Sequence, residues 1–197
     1  MERGPQQEAL ALRYLDLLLR WNRVYNLTSV TDPTSMVRRH LLDSLAAIPF
    51  LRGRRLVDVG SGAGLPGIPL AIWLPDRQFW LLDSSGRKTR FLHQVKIELR
   101  LTNVEIVQAR VQDWRPVQRF EGVLSRAFAP LPELVRQAGH LLAPGGRLHA
   151  FKGNWPEPGG AALEEPYAIV ALHRLRIPGE SAHRHLVEVA AGGKECH

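Results

Sequence analysis

Apolar positions along this chain recur first with a helical period and then in short runs. Over residues 6–25, Leu10, Tyr14, Leu17, Leu18, Trp21 and Tyr25 recur at spacings of three and four, which predicts an amphipathic helix. A polar link, Asn26 to Thr31, follows. Asp32-Pro33 then supplies a capping acid and a proline suited to the first helical turn. Met36, Val37, Leu41, Leu45 and Ile48 form the next stripe. After residue 52 the pattern changes to apolar runs at 55–59, 79–83, 104–107, 122–125 and 147–151. Helical stretches separate the early runs: about 65–74 (ending before Pro75), a helix from near Ser85 that turns Phe91, Leu92, Val95 and Leu99 inward, and 131–142. Ala143-Pro144-Gly145-Gly146 reads as a turn, and residues 156–166 as the loosest segment. Two last runs, 169–175 and 185–189, predict an antiparallel pair at the sheet edge. The alternation predicts an α/β fold around a mostly parallel seven-stranded sheet. Residues 1–52 are expected to form an N-terminal helical cap and 53–197 the core of one structural unit.

The densest chemistry lies where the first run ends, in Leu56-Val-Asp-Val-Gly-Ser-Gly-Ala-Gly-Leu-Pro-Gly67. Glycines at 60, 62 and 64 allow a tight turn and close approach of backbone to a ligand. The helix beyond them points unpaired N–H groups at the same place. The second run ends in Asp83, 23 positions after Gly60, near the spacing at which an acid reaches ribose hydroxyls. Read from Gly60, a dinucleotide pattern fails, because its sixth position is Leu65. Read from Gly62, Gly62-x-Gly64-x-x-Gly67 fits but starts two residues late, so a nicotinamide dinucleotide stays open. The G-x-G-x-G form after Asp58 suits S-adenosylmethionine better, with Asp58 toward its cationic methionine end, directly or through water. Ser61 and Ser84 flank these positions and join the candidate cofactor set.

Composition narrows the picture. The chain has 197 residues and a net charge of +7, and 22 of its 26 basic residues are arginine. Arginine favours phosphates and bases, so a nucleic-acid partner is reasonable. No run of about 18 apolar residues is present, which argues against a membrane span. The first eight residues lack a signal-peptide core, and the single cysteine, Cys196, precludes an internal disulfide framework; both lead to the expectation of a cytoplasmic protein. No Cys/His spacing suggests a metal, and nothing is patterned like a dimer interface, so a monomer is expected.

Several further segments have a recognisable form: Trp21-Asn-Arg-Val-Tyr-Asn-Leu-Thr-Ser-Val30, Arg39-His-Leu-Leu-Asp-Ser44, Leu82-Asp-Ser84, Arg87-Lys-Thr-Arg-Phe-Leu92, Ser125-Arg-Ala-Phe-Ala129 and Lys152-Gly153. With the glycine loop they resemble the bacterial 16S ribosomal RNA guanine-N7 methyltransferase family (RsmG, or glucose-inhibited division protein B) over about residues 14–153. The first helix looks shorter than is usual there, and the tail after Lys152 is weakly patterned. The resemblance implies a Rossmann-like class I methyltransferase. Its activity would be methyl transfer from S-adenosylmethionine, leaving S-adenosylhomocysteine, to one guanine N7 of 16S rRNA or the small ribosomal subunit. By motif, Gly60, Leu65, Asp83, Val111, Gln112 and Arg126 would hold the cofactor. Guanine N7 carries a lone pair and no proton, so no general base is needed. Arg126 would be the catalytic residue, holding the cofactor carboxylate, the guanine O6 or a phosphate. By position, Arg87, Lys88 and Arg90 would meet RNA phosphates or be ordinary solvated charge, Phe128 would stack on the base or pack under the loop, and His40, one turn from Asp43, would make a capping or core hydrogen bond or line the substrate site. A methyltransferase with another acceptor, an oxidoreductase and a noncatalytic RNA-binding module are the alternatives.

Overall fold

The computed structural model describes residues 4–156, 162–180 and 182–192. Cys196 and part of the loose 156–166 segment lie outside these. Helix α1 (Pro5–Tyr25) buries Tyr14, Leu17 and Leu18 and ends at Asn26 in the left-handed conformation. Asp32 caps α2 (Pro33–Met36), its carboxylate accepting from Ser35 N at 2.7 Å. That helix continues without a break into a π-helical turn (Val37–Leu42) and then α3 (Asp43–Leu45).

The seven strands are β1 (Arg55–Val59), β2 (Gln78–Asp83), β3 (Val104–Gln108), β4 (Phe120–Arg126), β5 (Leu142–Lys152), β6 (Tyr167–Leu175) and β7 (Arg184–Ala191). They lie in the order β3-β2-β1-β4-β5-β7-β6. The first five run parallel, and β7 is antiparallel to both β5 and β6. Helices α4 (Gly67–Trp73) and α5 (Gly86–Leu99) cross between early strands, and α1 packs on both. They share one core layer with the 33–45 helix, including Phe79, Phe91 and Ile68. Helix α6 (Leu131–Ala138) covers the opposite face, over Phe120, Val123 and Leu148.

Three boundaries differ from the sequence reading. The helix after the glycine loop starts at Gly67, because residues 60–66 are spent on the loop itself. The 131–142 helix ends at Ala138 and tightens into a 3-10 turn, Gly139–Leu141. The Ala143–Gly146 turn is a bulge inside β5: Phe120 pairs with Leu142, but Gly122 already pairs with Arg147. Four residues of β5 thereby face one of β4, so three extra residues are looped out without ending the strand.

Candidate functional site

Strand order reverses between β1 and β4, so the carboxyl ends of these two strands open a crevice. The glycine loop fills its floor. Gly60 N and Ser61 N both donate to Leu82 O of the next strand, at 2.9 and 3.0 Å. Gly60 and Gly62 hold φ of +67° and +59°, where a Cβ is strained. Asp83, at the end of β2, ties the loop to the following helix: Oδ2 accepts from Gly62 N and Oδ1 from Ser85 N, each at 2.9 Å. Lys88 Nζ lies 3.6 Å from Oδ2. From the other side, the buried Tyr14 hydroxyl donates to Ala63 O at 2.7 Å.

Asp58 has a different place from the one expected. It is fully buried beneath the loop, where Oδ2 accepts from Ser61 Oγ at 2.7 Å and Gly67 N at 2.9 Å. Burial pushes its carboxyl up to about 6. It braces the loop rather than facing a ligand. In the register read from Gly62, the glycine that would let backbone approach a pyrophosphate is Gly64, and its N–H already donates to Ser61 O at 2.8 Å. Gly64 serves packing: a Cβ there would press on Ile68 and Leu92.

Two cavities open beside the loop. One, of about 460 Å³, is lined by Gly60, Asp83, Ser84, Lys88, Val111 and Gln112. The other, of about 800 Å³, is lined among others by Thr28, His40, Asp43, Arg126, Lys152 and Arg184. Ala127 and Phe128 line both. The Phe128 ring lies against Gly60, where a Cβ would collide with it. Ala127 holds φ of +52°, an uncommon conformation for a residue with a side chain and one that concentrates at functional sites.

Charge in the larger cavity is organised around Asp43. Arg126 Nη1 donates to Asp43 Oδ2 at 3.0 Å and to Arg39 O at 2.7 Å. Arg184 Nε lies 3.3 Å from Oδ1 as an ion pair without hydrogen-bond alignment. Burial and the Arg126 charge together push His40 down to about 4, so its imidazole is neutral near pH 7.

Among the expected cofactor residues, Gly60, Asp83, Ser84, Val111 and Gln112 meet in the smaller cavity. Asp58, Ser61, Gly62, Gly64 and Leu65 build the loop without lining either space. Arg126 stands in the larger cavity. Of the expected RNA residues, His40 and Phe128 line the larger cavity, Lys88 lines the smaller one instead, and Arg87 and Arg90 are exposed on α5 and line neither. In the sequence Tyr14 stands out only as part of a core stripe, and Thr28 only as part of a link and of the Trp21–Val30 segment. Both carry polar contacts that periodicity does not register. Among the described residues, no group of three or more His, Cys, Asp or Glu could hold a metal, and no helix is long and apolar enough to cross a membrane.

Known proteins place this geometry in context. The family described as "GidB: rRNA small subunit methyltransferase G" matches residues 7–187. The chain is 50% identical over 184 residues to the ribosomal RNA small subunit methyltransferase G of Stutzerimonas stutzeri, covering 92% of this chain and 86% of that protein. It is 48% identical over 181 residues to the protein of the same name from Salmonella typhimurium, covering 92% and 87%. The fold is similar to that of a SAM-dependent methyltransferase from Thiobacillus denitrificans, solved with S-adenosyl-L-homocysteine (TM-score 0.55, 13% identity, 91% of this chain and 98% of that one). The glycopeptide N-methyltransferase MtfA is also similar (TM-score 0.61, 12% identity, 81% and 99%).

Proposed function

Because this chain belongs to the rRNA small subunit methyltransferase G family, we propose that its two cavities divide one methyl transfer between them. The enzyme uses S-adenosylmethionine and methylates N7 of a guanine in small-subunit ribosomal RNA. In our reading the smaller cavity takes the cofactor and the larger one takes the guanine. The observation that carries this assignment is that Ala127 and Phe128 line both cavities.

The smaller cavity suits the cofactor. The bare backbone at Gly60, a fixed acid at Asp83 and the wall at Val111 and Gln112 match a nucleoside with a small charged tail better than a pyrophosphate. When bound, adenosylmethionine supplies a methyl group made electrophilic by its sulfonium. The chain's task is alignment, since N7 presents its lone pair without losing a proton. Arg126 offers donors to a base edge or phosphate, with Asp43 holding the guanidinium in place. Toward the guanine its contact falls on O6 or phosphate, because donation to N7 would occupy the attacking lone pair; the cofactor carboxylate is the other acceptor open to it. Phe128 either stacks on the base or gives way to it. We take the enzyme to act as a monomer on 16S rRNA, free or in the small subunit, in the cytoplasm.

Incubation with methyl-labelled adenosylmethionine and small subunits lacking the modification tests this, with borohydride–aniline cleavage locating the product. One labelled guanine N7 is expected. Arg126→Ala should lower turnover by about a hundredfold, the cost of losing alignment, while keeping its fold and adenosylmethionine binding. Label on another atom refutes the reaction; wild-type turnover in the variant refutes the role of Arg126.

A further inference from the structure

The segment around Asn22 and Thr28 is far in sequence from the reacting groups, yet it reaches them through one side chain. Asn22 Oδ1 accepts from Thr28 N at 2.8 Å. Thr28 Oγ1 accepts from Val30 N at 3.1 Å and meets His40 Nε2 at 3.0 Å. His40 Nδ1 faces Arg126 Nη2 at 3.5 Å. A guanidinium only donates, so this contact calls for a lone pair on Nδ1 and the proton on Nε2. The proton then points at Thr28, whose oxygen accepts it beside the Val30 N–H.

The backbone around His40 has the same purpose. In the π-helical turn, Asp43 N donates to the carbonyls of Arg38 and His40 and passes over that of Arg39. Arg126 Nη1 takes the Arg39 carbonyl instead, at 2.7 Å. Single π turns inside α-helices recur at functional sites. Three neighbouring groups of one helix therefore grip one guanidinium: the Arg39 carbonyl, the Asp43 carboxylate and the His40 lone pair. Arg126 Nε and the second Nη2 hydrogen have no protein partner among the described residues, and the side chain lines the larger cavity.

We propose that His40 is a positioning residue for the methyl transfer: its neutral imidazole, held in the Nε2–H form by Thr28 and Asn22, orients Arg126 so that its remaining donors face the acceptor base. This rests on the assignment of the larger cavity to the guanine. His40 touches neither methyl donor nor nucleophile and acts through Arg126 alone. Thr28 sets the ring's orientation, and Asn22 sets Thr28.

The imidazole can be replaced one nitrogen at a time. His40→Asn keeps an acceptor near the place of Nδ1, and His40→Gln keeps its amide near the place of Nε2. The Asn variant keeps the acceptor for Arg126 but loses the contact with Thr28, so its kcat on small subunits should fall no further than that of Thr28→Val. The Gln variant should lose about tenfold to a hundredfold, the worth of a hydrogen bond to a charged group. Thr28→Val should lose activity and Thr28→Ser recover it. Adenosylmethionine affinity, measured by calorimetry, should not move in any of the four. Independently of activity, the long-range ¹H–¹⁵N spectrum of His40 in the wild-type enzyme at pH 7 should show a neutral ring protonated on Nε2. Equal losses in Asn and Gln, full activity in Gln, or a ring protonated on Nδ1 would overturn the proposal. If the wild-type enzyme itself labels no guanine N7, the fault lies with the functional assignment, while the ¹⁵N pattern still reports on the positioning.

Discussion

Asp58 and Asp83 stand at the ends of neighbouring strands, and their hydrogen bonds give them opposite tasks. Asp83 lines the smaller cavity and ties the loop to α5, whereas Asp58 is sealed underneath. Burial lifts the Asp58 carboxyl from 3.8 to about 6, against the pull of Ser61 and Gly67. Between those two values the folded chain holds a proton that the unfolded chain has released. Its contribution to stability therefore falls as pH rises from about 4 to 6 and stays low above. Asp58→Asn cannot titrate and keeps an acceptor for Ser61 and Gly67. Urea unfolding from pH 4 to 7 should show the variant gaining on the wild type by about 1–3 kcal/mol across that window. A gap that widens the other way would mean the carboxylate is stabilised by the fold. Adenosylmethionine affinity at neutral pH should change by less than about 1 kcal/mol, since Asp58 lines no cavity. A large loss would return this acid to the role that its place before the first glycine suggests. The sequence shows an acid there but not which way it turns. Lys88 is similar: its number fixes it at the start of a helix, while its side chain's lean toward Asp83 depends on where β2 ends.

The elements themselves were largely legible, because their signals are local: the 55–59 and 79–83 runs, the Asp32-Pro33 start and the inward face of Phe91, Leu92, Val95 and Leu99. What escaped depends on pairing partners. The Ala143–Gly146 segment has turn chemistry, and only the continued match of β4 with Arg147 makes it a bulge. The π turn at Val37–Leu42 leaves the spacing of buried positions almost unchanged, so hydrophobic periodicity does not record it. The tie of α1 to the glycine loop is equally invisible, since Tyr14 looks like one more core residue. That tie can be tested. Tyr14→Phe keeps the ring among its neighbours but strips the buried Ala63 carbonyl of its donor, at a cost of about 1–3 kcal/mol. The loop is then less firmly set for its ligand. Unfolding with and without S-adenosylhomocysteine should show a smaller ligand-induced gain in the variant than in the wild type. An equal gain would confine Tyr14 to packing.

At the scale of the molecule, both cavities open at the carboxyl edge where β1 and β4 part, but their charge is distributed differently. In the smaller one Lys88 faces Asp83. In the larger one Arg39, Arg126, Lys152 and Arg184 line the space with Asp43 as the acid among them, and Arg39 is further paired to Glu180 at 3.3 Å. Part of the basic excess of the chain thus lines the larger cavity. Composition points to a polyanionic partner, and the fold adds that the larger opening carries more of the basic side chains. Salt separates the two. Contacts to RNA phosphates release counterions, so the KM for small subunits should rise steeply between 50 and 200 mM salt, with a log–log slope of about 2–4 for three to five phosphates. Affinity for S-adenosylhomocysteine, which has no net charge near pH 7, should hardly move over the same range. Neutralising Arg184 as Arg184→Gln should reduce the slope by about one if it meets a phosphate. The slope would stay unchanged if Arg184 only supports Asp43, and in that case the loss would appear in kcat, through Arg126.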